Sequence, residues 1–223
     1  MTQLAARKGI AAFRLGHDAA KRALDIAVAL TLITILAPVL AILMLLVWST
    51  SAGPALFRQQ RLGRDRRPFT MLKLRTMHVG QDDCIHREYV TRLLSGNPEA
   101  VVSQDSGLYK LAADPRITRV GGWLRKTSLD ELPQLYNVLR GEMSLVGPRP
   151  VLSWEAEIFG ERYQRRFAVR PGLTGLWQVS GRSRLSMGKA LELDVEYVAR
   201  RSFAFDLMIL IRTIPAILRG GAR

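Results

Sequence analysis

The run Ile26-Ala-Val-Ala-Leu-Thr-Leu-Ile-Thr-Ile-Leu-Ala-Pro-Val-Leu-Ala-Ile-Leu-Met-Leu-Leu-Val-Trp48 is apolar throughout and carries a proline, Pro38, near its centre. As one straight helix it would reach roughly 34 Å, enough to cross a hydrocarbon core of ~30 Å. Two features oppose a simple crossing. Pro38 deletes a backbone hydrogen bond and costs roughly 3 kcal/mol in a helix interior. Basic residues also flank both ends: Arg7, Lys8, Arg14, Lys21 and Arg22 precede the run, and Arg58, Arg61, Arg64, Arg66 and Arg67 follow it. Such flanks favour the cytoplasmic side, so both ends belong on one face. A bend at Pro38 resolves the conflict. About twelve residues, or ~18 Å of helix, take the chain to half the core depth, and the rest bring it back. The alternative is a plain single-pass anchor, since membrane helices tolerate proline. A cleaved signal peptide fits less well, because the run is long for an h-region and a basic region follows it.

At 223 residues the chain fits one domain with an appendage, and its formal charge of +14 favours anionic partners. Most of that charge is arginine, whose rigid fork pairs two-pronged with phosphate. Nucleic acid is the poorer anion here, because neither zinc-ligand spacing nor a helix-turn-helix signal accompanies the charge. Cys84 is the single cysteine, which excludes an internal disulfide. His17, His78 and His86 have no metal-ligand spacing.

Residues 55–77 read as a hairpin. Leu56-Phe57-Arg58-Gln59 and Phe69-Thr70-Met71-Leu72-Lys73-Leu74 flank a polar turn from Gly63 to Pro68. Alternation sends Lys73 and Arg75 to one face, where two cations either bind phosphate or stay solvated. Surface structure is expected over 81–113, with a helix around Ile85 to Leu94. Further helices are expected at Arg119–Arg125, Pro133–Arg140 and Ser153–Phe167, with a final helical region from Leu191 to Leu218. Phe203, Phe205, Leu207, Met208 and Ile209 make that last region amphipathic and too short to span. It reads either as an interface-lying helix or as one packed on the core.

The acid pair Asp130-Glu131 carries the chemistry. Ser128-Leu-Asp-Glu131 formally fits a helix capping box. Against that, Pro133 would then fall in the second turn and delete a hydrogen bond. A helix starting at Asp130 or Glu131 keeps Pro133 in the first turn, where its missing N–H does no harm. Asp130 then lies at the positive end of the helix dipole, which favours its ionised form and an incoming phosphate. Cap and nucleophile both stay open on the residues alone.

The run from Asp114 to Pro150 places this pair after the cations Arg116, Arg119, Arg125 and Lys126 and before the turn Gly147-Pro148-Arg149-Pro150. Together with Lys73-Leu-Arg-Thr-Met77, Arg170-Pro-Gly-Leu-Thr-Gly-Leu-Trp-Gln-Val-Ser-Gly-Arg182 and Asp194-Val-Glu-Tyr-Val198, it resembles the bacterial sugar transferase family. These are the polyprenyl-phosphate phosphoglycosyl transferases of the monotopic type. The resemblance covers nearly the whole chain.

It implies an α+β, mainly helical, monotopic membrane protein. A re-entrant helix would lie within an N-terminal segment (1–54), and a small β-hairpin and interfacial amphipathic helices within a catalytic domain (55–223). Family members usually carry Ser before the helix-breaking proline. Ala37 stands there, so the carbonyl freed by Pro38 needs another partner, such as Thr34 or Thr31. The implied reaction moves a sugar 1-phosphate from a UDP-sugar to undecaprenyl phosphate, releases UMP and starts glycan assembly at the inner membrane. Asp130 is the implied nucleophile and Mg²⁺ ligand, with Glu131 as the supporting acid. Arg125, Arg182, Lys73 and Arg75 match phosphate-binding positions, and Pro148, Arg149 and Pro150 the nucleotide-binding turn. Asp194 and Asp206 occupy matching acidic positions, where either equally suits pairing with arginine. The implied partners are UDP-sugar, undecaprenyl phosphate and membrane lipids, with no nucleic acid; a homo-oligomer stays open. The competing reading is a catalytically silent membrane scaffold, which the intact acid pair opposes.

Overall fold

The computed structural model describes residues 2–79, 116–181 and 185–218, with positions 2–17 as backbone only. The expected helix at Ile85 to Leu94 lies outside these. Helix α1 (Thr2–Thr50) continues through Pro38 without dividing into two helices. The Thr34 hydroxyl, expected to serve the carbonyl that Pro38 frees, instead donates to the Leu30 carbonyl at 2.9 Å. One side of α1 packs on the rest of the chain through Asp25, Ala29, Leu43 and Val47, all buried. Ile26, Leu30, Ile35, Ile42, Leu45 and Trp48 stay exposed. The portion Asp18–Thr50 is long and apolar enough to cross a membrane.

Both ends of this apolar portion are fastened to the same body. Near the start, Arg22 donates to the carbonyls of Val138 and Leu139 at 2.6 and 2.8 Å, while Asp25 accepts from Ser144 Oγ and Leu145 N. At the far end, Leu43 and Val47 form a buried cluster with Leu74 and Leu124. A carboxylate this deep persists only when its hydrogen bonds are satisfied, which Asp25 achieves on the Ser144 hydroxyl and the Leu145 main-chain N–H.

Strands β1 (Leu56–Leu62) and β2 (Pro68–Leu74) form the expected antiparallel hairpin, with Leu56 opposite Leu74 and Leu62 opposite Pro68. Helix α2 (Arg119–Thr127) follows, capped by Thr118, whose hydroxyl accepts from Gly121 N at 2.9 Å. A 3-10 turn (Leu129–Glu131) then leads to α3 (Gln134–Arg140), which has Pro133 at its N-cap. The capping-box reading of Ser128 fails, because that residue is the left-handed C-cap of α2 and its side chain caps nothing.

A second sheet went unsignalled in the sequence: β3 (Ser144–Val146) runs parallel to β4 (Gly172–Thr174). Between them the helix expected over Ser153–Phe167 divides into α4 (Ser153–Ile158) and a 3-10 segment (Glu161–Ala168). The break comes where Phe159 turns extended and inward, with its ring under the Arg166 guanidinium. After α5 (Leu176–Ser180), the final region begins earlier than expected and is two helices, α6 (Met187–Arg200) and α7 (Phe203–Leu218). Arg201 is extended between them, and the Ser202 hydroxyl accepts from Phe205 N at the start of α7. Helix α7 buries Asp206 and Ile209 but exposes Phe203, Leu207, Ile211, Ile214 and Ile217. One face therefore packs on the core, as the second of its two readings has it, and an apolar face is left outward.

Candidate active site

Helix α2 sets the position of the acids. Gly121 lies so close to Thr76 that an added Cβ would meet its carbonyl oxygen at 2.0 Å, so only glycine lets α2 approach the end of the hairpin. Ser128, at φ 60° and ψ 17°, then reverses the chain into the 3-10 turn. That turn buries Asp130 and leaves Glu131 part-exposed. Lys73 reaches across from β2 and pairs with Glu131 at 2.9 Å.

Asn137, fully buried on α3, holds the two elements in register. Its carboxamide accepts from Leu72 N at 3.0 Å and donates to Thr70 O at 2.8 Å and to Glu142 Oε2 at 2.7 Å. It thus satisfies the main-chain groups on the edge of β2 that lacks a strand partner. Lys73, next to Leu72, is thereby held opposite Glu131.

Burial is the main cause that lifts the Asp130 carboxyl above the usual carboxylate range. Lys73 opposes the shift, the like charge of Glu131 adds to it, and Arg125 opposes it. The helix-dipole expectation is corrected on this point, because Asp130 precedes α3 in a 3-10 turn and desolvation dominates.

The turn Gly147–Pro150 enters from the end of β3. Gly172 approaches Gly147 so closely that a Cβ would fall 2.0 Å from Gly147 N, and Gly172 N donates to Pro148 O at 2.8 Å. The Arg149 carbonyl accepts from Arg166 at 2.7 Å, and the same guanidinium nitrogen pairs with Asp194 at 2.6 Å. Both members of that pair are buried, and burial pushes the Asp194 carboxyl up to about 6 against the pull of Arg166. The Arg149 guanidinium lies over the Trp177 ring.

The structure therefore brings Lys73, Glu131, Arg149 and Pro150 to one cleft, together with Arg61, Gln134 and Gln178. Arg125 acts electrostatically on the adjacent Asp130. Pro148 supports the turn through its carbonyl. Arg182 lies outside the described residues. Arg75 is placed elsewhere: it is buried and donates to Ser51 O at 2.6 Å, Ser51 Oγ at 2.8 Å, Val47 O at 3.3 Å and Pro54 O. Expected as a phosphate ligand beside Lys73, it instead caps the end of α1. Asp206 binds Lys21 at 2.7 Å and accepts from the Tyr197 hydroxyl at 2.7 Å, so it joins α1, α6 and α7 and does not line the cleft.

Asn137, Arg166, Gln134 and Gln178 were not singled out in the sequence. A polar residue within an apolar helical stretch, such as Asn137 between Tyr136 and Val138, was the available signal.

Among the described residues no three His, Cys, Asp or Glu side chains gather to cage a metal. Mg²⁺ does not require such a cage, since one or two carboxylates with substrate phosphates and water suffice. Asp130 beside Glu131 fits that donor set, and a buried carboxylate under like-charge strain gains from a cation.

Two acids, one buried, thus stand near Lys73 and Arg125, and Arg149 lines the same cleft as Glu131, a concentration of cations that favours anionic groups. The chain belongs to the bacterial sugar transferase family, which matches it over residues 16–220. It is 45% identical over 199 residues to the UDP-galactose-lipid carrier transferase of Erwinia amylovora, covering 89% of this chain and 40% of that protein. The exopolysaccharide production protein ExoY of Sinorhizobium fredii is 40% identical over 88% of this chain and 84% of its own length. The UDP-glucose:undecaprenyl-phosphate glucose-1-phosphate transferase of Caulobacter vibrioides is 40% identical over 92% of this chain and 72% of its own. The chain spans about two-fifths of the length of the first two relatives it matches.

Proposed function

We propose that this chain transfers a sugar 1-phosphate from a UDP-sugar to undecaprenyl phosphate and so starts a membrane-linked glycan. The observation that carries the reading is the buried Asp130 carboxylate beside Glu131, acted on by Lys73 and Arg125, with Arg149 lining the cleft that Lys73 and Glu131 share. Several relatives bear names for this chemistry, among them the Caulobacter enzyme.

In this reading an Asp130 carboxylate oxygen attacks the sugar-linked phosphorus, and the bond to the UMP oxygen breaks. UMP leaves, and an aspartyl-phosphosugar ester remains. An oxygen of undecaprenyl phosphate then attacks the same phosphorus and displaces Asp130. Splitting one displacement between two anions into two steps is the benefit of a covalent nucleophile. Arg125 and Lys73 offset phosphate charge next to Asp130, and the Arg149 turn holds the nucleotide. Glu131, paired to Lys73, sets how much of that lysine's charge reaches Asp130. Asp130 and Glu131 would hold Mg²⁺, which when bound supplies charge neutralisation on phosphate oxygens.

We place this reaction at the cytoplasmic face of the inner membrane. In this reading α1 bends at Pro38, dips into the bilayer and returns. Support comes from its two basic flanks and from the attachment of both ends of its apolar portion to one body. The exposed apolar faces of α1 and α7 would then meet lipid.

The deciding experiment is Asp130→Asn in membranes supplied with UDP-sugars and undecaprenyl phosphate. UMP release and lipid product should both fall by at least about a thousandfold while the protein stays folded. Turnover near that of the native chain would refute the covalent mechanism.

A further inference from the structure

Two uncharged groups in the cleft lack any hydrogen-bond partner. The Gln134 carboxamide nitrogen is a donor with none, on a residue only 3% exposed, and the Gln178 carboxamide oxygen is an acceptor with none. Both side chains line the cleft that Lys73, Glu131 and Arg149 share. A buried polar group left unpaired costs about 1–3 kcal/mol, so a ligand that completes both would recover it. Gln178 is held in place by the backbone: a Cβ at Gly175 would sit 2.7 Å from its carboxamide oxygen, so the amide folds over a bare glycine.

The chemistry of the missing partner follows from the two vacant valences. A phosphate oxygen accepts and has nothing to donate, so it would satisfy Gln134 and leave Gln178 unpaired. A hydroxyl does both at one atom, accepting from Gln134 and donating to Gln178. Position points to the same group, because Gln134 begins α3 three residues after Glu131, the acid next to Asp130, and lines the same cleft as Glu131.

We propose that Gln134 and Gln178 together bind one hydroxyl of the transferred sugar. This rests on the sugar-phosphate transfer proposed above. A site built to hydrogen-bond a substrate hydroxyl discriminates strongly against an analogue lacking it, because its own polar groups are then stranded.

The test uses the full chain in membranes. UDP-hexoses and UDP-N-acetylhexosamines are first screened by UMP release. The 2-, 3-, 4- and 6-deoxy analogues of the preferred one are then compared by kcat/KM. In the native chain one analogue should fall by roughly ten- to a hundredfold relative to its parent, with the others much less affected. In Gln134→Met the parent sugar should weaken, and the ratio of parent to that same analogue should collapse towards one. The other three ratios should keep their native values. Gln178→Met should repeat the pattern, which covers the case in which Gln134→Met does not fold.

Equal use of all four analogues by the native chain overturns the proposal and points to a bridging water. A uniform rise in KM in the variants, with every deoxy ratio unchanged, also overturns it and assigns the amides to the nucleotide instead. Absence of UMP release from every UDP-hexose and every UDP-N-acetylhexosamine would instead refute the transfer reaction, and this inference with it.

Discussion

Asp130 and Lys73 make the electrostatics of the site testable residue by residue. In the proposed reaction Asp130 must be ionised to attack, and burial holds its carboxyl above the usual range. The acid limb of the pH–kcat/KM profile should therefore lie above the pH at which an exposed aspartate titrates. Lys73 lowers that value, so Lys73→Met should move the limb to higher pH as well as lowering the rate. A limb that stays in place would show that Asp130 does not govern it. Arg75 makes the opposite case. It is a cation in a family-matching motif whose bonds go to the end of α1. Arg75→Met should destabilise the protein by about 2–4 kcal/mol by stranding those carbonyls, read as a lower Tm. KM for the UDP-sugar in the folded fraction should stay near native, whereas a phosphate ligand would raise it.

Among elements, the junction of β2 with α3 decides whether the site assembles. Asn137 supplies three hydrogen bonds there, two of them to the edge of β2. Asn137→Leu keeps a similar size but leaves Leu72 N, Thr70 O and Glu142 without that partner. The expected loss is about 2–4 kcal/mol, measured by thermal or denaturant unfolding. Because β2 carries Lys73, a shift of its register against α3 should also move the acid limb of activity in the direction expected for Lys73→Met. Stability loss with an unmoved limb would mean that Lys73 finds Glu131 without this brace. The turn carrying Arg149 is braced in a similar way, from behind, by the buried Arg166–Asp194 pair.

At the scale of the whole molecule, the question is how α1 relates to the membrane. Arg22 and Asp25 near one end and Val47 at the other hold the apolar portion against one body. Thr2→Cys and Thr50→Cys, each in a Cys84→Ser background, should therefore be labelled from the same, cytoplasmic side by an impermeant thiol reagent. Thr50 is preferred to its neighbour Ser51, whose hydroxyl and carbonyl both serve Arg75. Pro38→Leu should lengthen the unbent helix and place the N-terminus outside in a fraction of molecules, by the conflict of the two basic flanks. Labelling of the two native-background positions from opposite sides would establish a single-pass anchor.

What the sequence determined by itself is what depends on near neighbours. The hairpin followed from alternation and its polar turn, the length of the apolar run from composition, and the placement of α2 and α3 from helical pattern and from Pro133. The acid pair was legible because Asp130 and Glu131 are adjacent and stand within a long run of family-matching residues. Tertiary structure alone decided where each cation goes. Lys73 and Arg75 lie two positions apart, yet Lys73 meets Glu131 while Arg75 turns to Ser51 and Pro54, because β2 ends at Leu74 and alternation no longer governs the next residue. The parallel pairing of β3 with β4, the contact of Asn137 with Leu72, and the meeting of Gln134 with Gln178 in one cleft all join residues far apart in the chain. No local pattern encodes such contacts. They exist only once packing has brought the elements together, and burial then decides which polar groups must be satisfied.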